Sequence, residues 1–172
     1  DLSQWFGNLV LQDKKNRVIE ALQCFDKDIA DIQTIVKGAY GYLYALFKDG
    51  KKIPLSYMGD GMNRMINILL AILSMPKSII LIDEFENGFH YSMYKKLWEI
   101  IGKAAMENGC QLIVNTHSLD LLQGAVEALK EENLLNKLSY VRLAKNTGDD
   151  VQAKVFDAEL IEYALRSEME VR

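Results

Sequence analysis

Residues 79–84, Ile79-Ile80-Leu81-Ile82-Asp83-Glu84, are four consecutive apolar residues followed by two carboxylates. A short apolar run of this kind is typical of a strand buried on both faces of a parallel sheet. Open α/β sheets bind ligands beyond the carboxyl ends of their strands, which is where Asp83 and Glu84 lie. One carboxylate there can hold magnesium, and a second can orient or deprotonate an attacking water. The stretch therefore predicts a magnesium- and water-handling edge; two solvated acids that open a loop are the alternative.

The surrounding sequence alternates between helical and extended patterns. Gly61–Ser74 has apolar residues at helical spacing, and Gln111–Asn115 is a second apolar strand beyond a helix that ends near Asn108-Gly109. Asp49-Gly50, between apolar stretches, is a hairpin signal. We predict the remaining elements as a helix at Lys14–Phe25, strands at Ile32–Lys37 and Gly41–Lys48, a helix capped by Ser118, a hairpin of Leu138–Ala144 and Val151–Phe156 around Asn146–Gly148, and a helix at Glu159–Arg166.

These elements predict an α/β fold with a mainly parallel central sheet flanked by helices. A small antiparallel hairpin precedes that sheet, and a β-hairpin plus helix follows it. A chain of 172 residues suits a single domain. Within it we expect a helix with antiparallel strands at 1–54, the core of the site at 55–122, and a helix, hairpin and helix at 123–172.

Composition narrows the class of protein further. The apolar runs are far too short to span a bilayer, so we expect no membrane segment. The two cysteines, Cys24 and Cys110, lack metal-ligand spacing and favour a reducing, cytoplasmic setting. A net charge of −4 gives no global attraction to nucleic acid, although it is compatible with a local basic patch.

The segment Asn115-Thr116-His117-Ser118 follows the second apolar strand. Parallel strands end at the same edge of a sheet, so we expect His117 beside Asp83 and Glu84. An imidazole there can hydrogen-bond a terminal phosphate and the attacking water. A structural histidine next to a helix cap is the alternative.

A third candidate segment precedes the helix that begins near Gly61. Ser56, Gly59, Asp60 and Gly61 lie just before its first turn. Free backbone N–H groups and the helix dipole make such an N-terminus suitable for an anion. An ordinary turn that needs glycine is the alternative.

The order of these segments resembles the C-terminal part of an ABC-type ATPase head. It is most similar to the predicted ATPases grouped with the OLD and RecF-like families and described as AAA domains. The matching positions are Ser56, Gly59, Asp60 and Gly61 for the signature loop, Ile79–Asp83 for the Walker B strand, Glu84 for the catalytic glutamate, Glu86, Asn87, Gly88 and His90 for the D-loop region, and His117 for the switch histidine.

The resemblance implies an ATP molecule sandwiched between two heads, so a homodimer is expected of the full-length protein. ATP and Mg²⁺ would be the ligands, with Asp83 holding the metal, Glu84 polarising water and His117 sensing the γ-phosphate. The segment Ser56–Gly61 would touch the nucleotide bound by the partner head, and the D-loop residues would contact that head.

This sequence departs from the family pattern in two places. Tyr91 stands where many relatives have proline. No Gly-x-x-x-x-Gly-Lys-[Ser/Thr] phosphate loop occurs in the 172 residues, and the sequence starts at Asp1 rather than methionine. We therefore expect the Walker A half to be missing or supplied by another chain, and this piece alone to be inactive.

Two alternatives from other classes stay open. One is a non-catalytic dimerisation or interaction module. The other is a metal-dependent nuclease whose site would use Asp83, Glu84, Glu86, His90 and His117.

Overall fold

A computed structural model describes residues 2–145 and 150–166. The predicted turn residues Asn146–Gly148 lie outside this described part. Among the described residues, no helix is long and apolar enough to cross a membrane. The helices and strands are α1 (Leu2–Leu11), α2 (Lys15–Gln23), β1 (Ile29–Lys37), β2 (Tyr40–Phe47), β3 (Lys52–Pro54), α3 (Asp60–Ser74), β4 (Ile79–Ile82), α4 (Tyr94–Asn108), β5 (Gln111–Val114), α5 (Leu119–Glu131), β6 (Tyr140–Lys145), β7 (Val151–Phe156) and α6 (Ala158–Arg166).

The chain divides into two compact units. The first runs to His90 and includes Ile100–Thr116, and the second comprises Tyr91–Glu99 and the residues from His117 onward. The mixed α/β class is confirmed by this set of elements. Parallel pairing in the described residues is that of β4 with β5, whereas the other two sheets are antiparallel.

The antiparallel sheet of the first unit has the order β1-β2-β3. Ile32 pairs with Ala45, and both side chains are buried on the face that α1 covers. A side chain at Gly41 of β2 would meet the Ser3 hydroxyl at 2.6 Å, which shows how closely α1 lies on the sheet. The predicted turn between β2 and β3 is present, with Gly50 in the left-handed region at φ 84°. This sheet leads directly into Leu55, which is buried, and thus anchors the segment that precedes α3.

The parallel pair of the first unit differs from the expectation of a strand buried on both faces. Ile80 and Ile82 of β4 are buried, but Ile79 is 62% exposed and Leu81 is 73% exposed. Ile113, which pairs with Leu81 on β5, is 51% exposed. The prediction of full burial is therefore wrong for the described part of the chain, in which no element covers this face of the pair. We call the surface formed by Ile79, Leu81 and Ile113 the open face.

In the second unit, α5 and the C-terminal hairpin share a small apolar core. Ser118 caps α5 as predicted, accepting a hydrogen bond from the Leu121 N–H at 3.2 Å. The Trp98 indole N–H donates to the Leu121 carbonyl at 3.0 Å. The core members that are buried together are Leu122, Val126, Phe156, Ile161 and Ala164.

Candidate nucleotide-hydrolysis site

The carboxylates of Asp83 and Glu84 are exposed immediately after β4, at the carboxyl end of the parallel pair. Asn115 occupies the equivalent position after β5, because the register pairs Ile82 with Val114. Its side-chain amide donates to Asp83 Oδ1 at 2.8 Å. Its backbone N–H donates to the Ile82 carbonyl at 2.9 Å, and its carbonyl accepts from the Phe85 N–H at 3.1 Å. Asn115 thus fixes both the Asp83 side chain and the main chain on either side of the carboxylate pair.

Glu84 adopts a main-chain conformation that is uncommon for a residue with a side chain. Its φ is 45°, in the left-handed region that favours glycine. Its carboxylate accepts a hydrogen bond from the Asn87 side chain at 2.5 Å, and its carbonyl accepts from the Asn87 N–H at 3.0 Å. Phe85, fully buried, packs edge-on against Phe89 with ring centroids 5.9 Å apart. The buried ring of Phe85 and the half-buried ring of Phe89 therefore hold the turn, while the Glu84 carboxylate remains exposed.

Arg64, in the second turn of α3, reaches the main chain of this carboxylate pair. Its Nη2 donates to the carbonyls of both Asp83 and Glu84, the latter at 2.9 Å. The sequence pattern gave Arg64 no role. It could have been noticed as the basic residue on the first turns of a helix that otherwise buries apolar side chains.

The glycines of the predicted signature loop and D-loop region lie in direct backbone contact. A Cβ on Gly61 would lie 2.3 Å from the Gly88 carbonyl oxygen, and Gly88 itself has φ 83°. Gly59, with φ 87°, is the residue that precedes α3, and its carbonyl accepts from the Asn63 side chain at 2.9 Å. Ser56 and Asp60 are exposed. A side chain at Gly61 would clash with Gly88, and the positive φ of Gly88 disfavours a side chain there, so the close approach depends on these two glycines.

The structure therefore brings two sequence-predicted groups together within the first unit. The loop before α3 and the turn after β4 adjoin through Gly61 and Gly88. In that turn Glu86 is half-buried, and His90 is exposed just beyond it. His117 is exposed and belongs to the second unit, so its approach to the carboxylates stays a prediction.

The oxygen groups at the end of β4 suit a magnesium ion that is shared with phosphate. Mg²⁺ prefers oxygen ligands and is usually bound by one or two carboxylates together with substrate phosphates and waters. Asp83 uses Oδ1 for Asn115 and remains exposed, which fits one direct or water-mediated ligand. Over residues 2–145 and 150–166, no three acidic, histidine or cysteine side chains form a group that could hold a metal. The arrangement therefore fits a metal delivered with a nucleotide better than a metal cage made by protein alone.

Solved structures with the same fold are SMC ATPase heads. One, from work on ATP-driven dimerization and DNA-stimulated activation of SMC ATPases, matches with a TM-score of 0.61 at 11% identity, covering 92% of each chain. The Smc head of Pyrococcus furiosus bound to the C-terminal domain of ScpA matches with a TM-score of 0.58 at 13% identity, over 90% of this chain and 37% of that one. The likeness shows that the chain shares the fold of these SMC structures.

The chain belongs to the family described as AAA domain, putative AbiEii toxin, Type IV TA system, whose model matches residues 3–123. An ATP/GTP phosphatase of Helicobacter pylori is 27% identical over 97% of this chain. An uncharacterized protein of Methanocaldococcus jannaschii, MJECL11, is 28% identical over 49% of it and 75% of that protein. The chain spans 44% of the length of the H. pylori protein. The resemblance to an ABC-type and AAA-described ATPase is thereby confirmed.

Proposed function

We propose that this chain supplies the Walker B, signature and D-loop parts of a magnesium-dependent ATPase that converts ATP and water to ADP and phosphate. The observation that carries the proposal is the fixed Asp83-Glu84 pair at the end of β4, with Gly88 of the following turn against Gly61 of the anion-binding loop. Two segments thus adjoin, one that would serve this head's own nucleotide and one that would serve the nucleotide of a second head. Within the wider class we assign the chain to the OLD and RecF-like group.

Each carboxylate has a distinct task in this proposal. Asp83 would hold the magnesium ion, which neutralises charge on the phosphates. Glu84 would accept a hydrogen bond from the attacking water and orient it toward the γ-phosphorus. His117 would donate to the γ-phosphate from the end of the neighbouring strand. The exposed amides and hydroxyl of the Ser56–Gly61 segment would contact the nucleotide of a second head.

The open face supports a site that is completed by further polypeptide. Parallel sheets are normally covered on both faces, yet Leu81 is 73% exposed on one face of the β4–β5 pair. No phosphate loop occurs in the 172 residues, and these residues match only 44% of the length of the H. pylori relative. We propose that a lobe with the Walker A loop packs on the open face and that two such heads enclose the nucleotide. Without that loop, most of the phosphate-binding energy is absent.

The test is phosphate release by the full-length protein and by the 172-residue chain, each with ATP and Mg²⁺. We expect turnover by the full-length protein only. Glu84→Gln should lower its kcat by about 100-fold or more, since a positioned general base contributes about 10²–10⁴. Glu20→Gln, at an exposed position of α2, is the matched control and should leave kcat within about twofold. Turnover by the 172-residue chain that Glu84→Gln abolishes would contradict the need for another lobe, and equal kcat values for the two variants would contradict the site.

A non-catalytic interaction module is the second candidate, and the open face is the observation that favours it. An exposed apolar patch bordered by polar residues commonly marks an interface. On that alternative the full-length protein would bind its partner equally well with Glu84→Gln and would show no nucleotide turnover. The metal-dependent nuclease would instead cleave DNA with manganese in the absence of ATP.

A further inference from the structure

We propose that Arg64 is a positioning residue that sets the geometry of Glu84 and links it to the N-terminus of α3. This inference rests on the proposed ATPase function and assigns a role to a residue outside the matched motifs. Its physical basis is that one guanidinium nitrogen donates to two consecutive carbonyls, those of Asp83 and Glu84.

The main chain at Glu84 needs such a restraint. With φ at 45°, Glu84 occupies a conformation that residues with a side chain adopt only when their surroundings impose it. Rotation of Glu84 back toward an extended conformation would turn its carbonyl away from Arg64 and redirect its carboxylate. Charge-assisted hydrogen bonds are stronger than neutral ones, so the guanidinium opposes that rotation effectively.

Among the described residues, the side-chain hydrogen bonds of Arg64 go to these two carbonyls. Its Nε is buried and makes no hydrogen bond with any described residue. The guanidinium therefore has no competing acceptor at Nε. It connects helix α3, which carries it, to the main chain of Asp83 and Glu84.

The same helix begins at the loop that is proposed to meet the partner head's nucleotide. Asp60 and Gly61 are one turn of α3 before Arg64, and Gly61 touches the Gly88 carbonyl in the turn after Glu84. Helix α3 thus contacts the Glu84 turn at two points, through Arg64 and through Gly61. A displacement of the α3 N-terminus when a second head engages would reach Glu84 through Arg64, so engagement and water activation would be coupled.

The experiment compares Arg64→Met, Arg64→Lys and the matched control Arg17→Met in the full-length protein. Arg17 forms its ion pair with Glu107, away from the loop and the carboxylates. We expect Arg64→Met to lower kcat at least tenfold while the KM for ATP changes less than threefold, because binding remains and water activation is lost. Arg64→Lys should recover part of the loss, since an ammonium group can donate to one of the two carbonyls. Arg17→Met should change neither constant by more than about twofold.

A double-mutant cycle with Glu84→Gln separates positioning from general stabilisation. If Arg64 acts through Glu84, Arg64→Met should reduce the residual activity of the Glu84→Gln protein by less than twofold. A full tenfold reduction in that background, or an unchanged kcat in the wild-type background, would overturn the proposal.

Hydrogen exchange of the nucleotide-free protein gives a readout independent of turnover. The Phe85, Asn87 and Phe89 amides are bonded within or beside the turn, and they should exchange at least tenfold faster in Arg64→Met but not in Arg17→Met. Should Arg64→Met fail to fold, Arg64→Lys carries the same comparison with a smaller shift. A protein that never hydrolyses ATP would refute the proposed function, whereas unchanged exchange in the Arg64 variants would refute the role of Arg64 itself.

Discussion

The carboxyl end of strand β4 is held by several contacts, whereas one face of the same strand is exposed. At the end, Asn115 and Arg64 bind the Asp83 and Glu84 segment, and the buried Phe85 ring holds the turn that follows. On the face, Leu81 of the same strand is 73% exposed. The turn after β4 is thus fixed by contacts within this chain, while one face of the strand pair that precedes it is not covered by any described element.

The antiparallel sheet of the same unit also has exposed residues on one face, which is ordinary for a sheet of this kind. Its inner face carries Ile32 and Ala45, which are buried, and its outer face carries Tyr40 and Tyr42, which are exposed. Antiparallel sheets commonly have one solvated face, whereas parallel sheets are normally covered on both. The exposed face of β4–β5 is therefore the less usual of the two, and it supports the proposal that another layer packs on it.

The largest expected effect is on turnover at the organised end of β4. In the full-length protein, Asp83→Asn should lower the kcat for ATP by about 100-fold, because the metal's stabilisation of transition-state charge is worth several kcal/mol. Asparagine can still accept from Asn115, so the fold should be retained. Phosphate release at saturating Mg²⁺ measures the effect, with Asp49→Asn in the β2–β3 turn as the control. Equal rates for the two variants would show that Asp83 does not contribute to the site.

The next effect is expected on the free energy of unfolding, at a buried position of the first unit. Leu70 of α3 is fully buried, so Leu70→Ala in the 172-residue chain should lower the free energy of unfolding by about 2–5 kcal/mol. Urea denaturation followed by circular dichroism measures it. A cost below about 1 kcal/mol would mean that α3 is not packed as described.

The contact between the two glycine-containing loops gives an intermediate effect. Gly61→Ala would place a methyl carbon 2.3 Å from the Gly88 carbonyl, so the loops must separate at a cost of about 1–3 kcal/mol. Gly7→Ala in α1 meets nothing within 4 Å and should stabilise the chain by about 0.5–1 kcal/mol. Opposite signs for the two variants in urea denaturation are the expected result. The same sign for both would deny the close approach.

In the 172-residue chain, the smallest effect is expected on the open face. Its size should depend on whether further polypeptide covers that face. In the 172-residue chain, Leu81→Ala should change the free energy of unfolding by no more than about 0.5 kcal/mol, because the side chain is mostly exposed. In the full-length protein the same change should cost about 2 kcal/mol or more, since a covered leucine leaves a cavity. Equal costs in the two proteins would show that nothing packs on the open face.

Features set by neighbouring residues could be predicted from the sequence. The Asp49-Gly50 turn, the Ser118 cap and the strand that ends in Asp83-Glu84 all depend on residues within a few positions of each other. Helix α1 was not predicted, because Gly7 and Asn8 weaken the helical pattern there, and the helix is fixed by packing on β2 and α3. The burial of β4 was predicted wrongly, because an apolar run does not reveal whether another element covers the strand.

The sequence by itself determined the α/β class and the likeness to an ATPase, and it supplied the prediction that Asp83 and Glu84 form the site, since each depends on a local pattern of residue type and spacing. Only the tertiary structure decided that Arg64 holds the Glu84 main chain from 20 residues away and that Gly61 lies against Gly88. Those contacts depend on how α3 packs beside β4. They join residues far apart in the chain, and no local spacing specifies the distance between them.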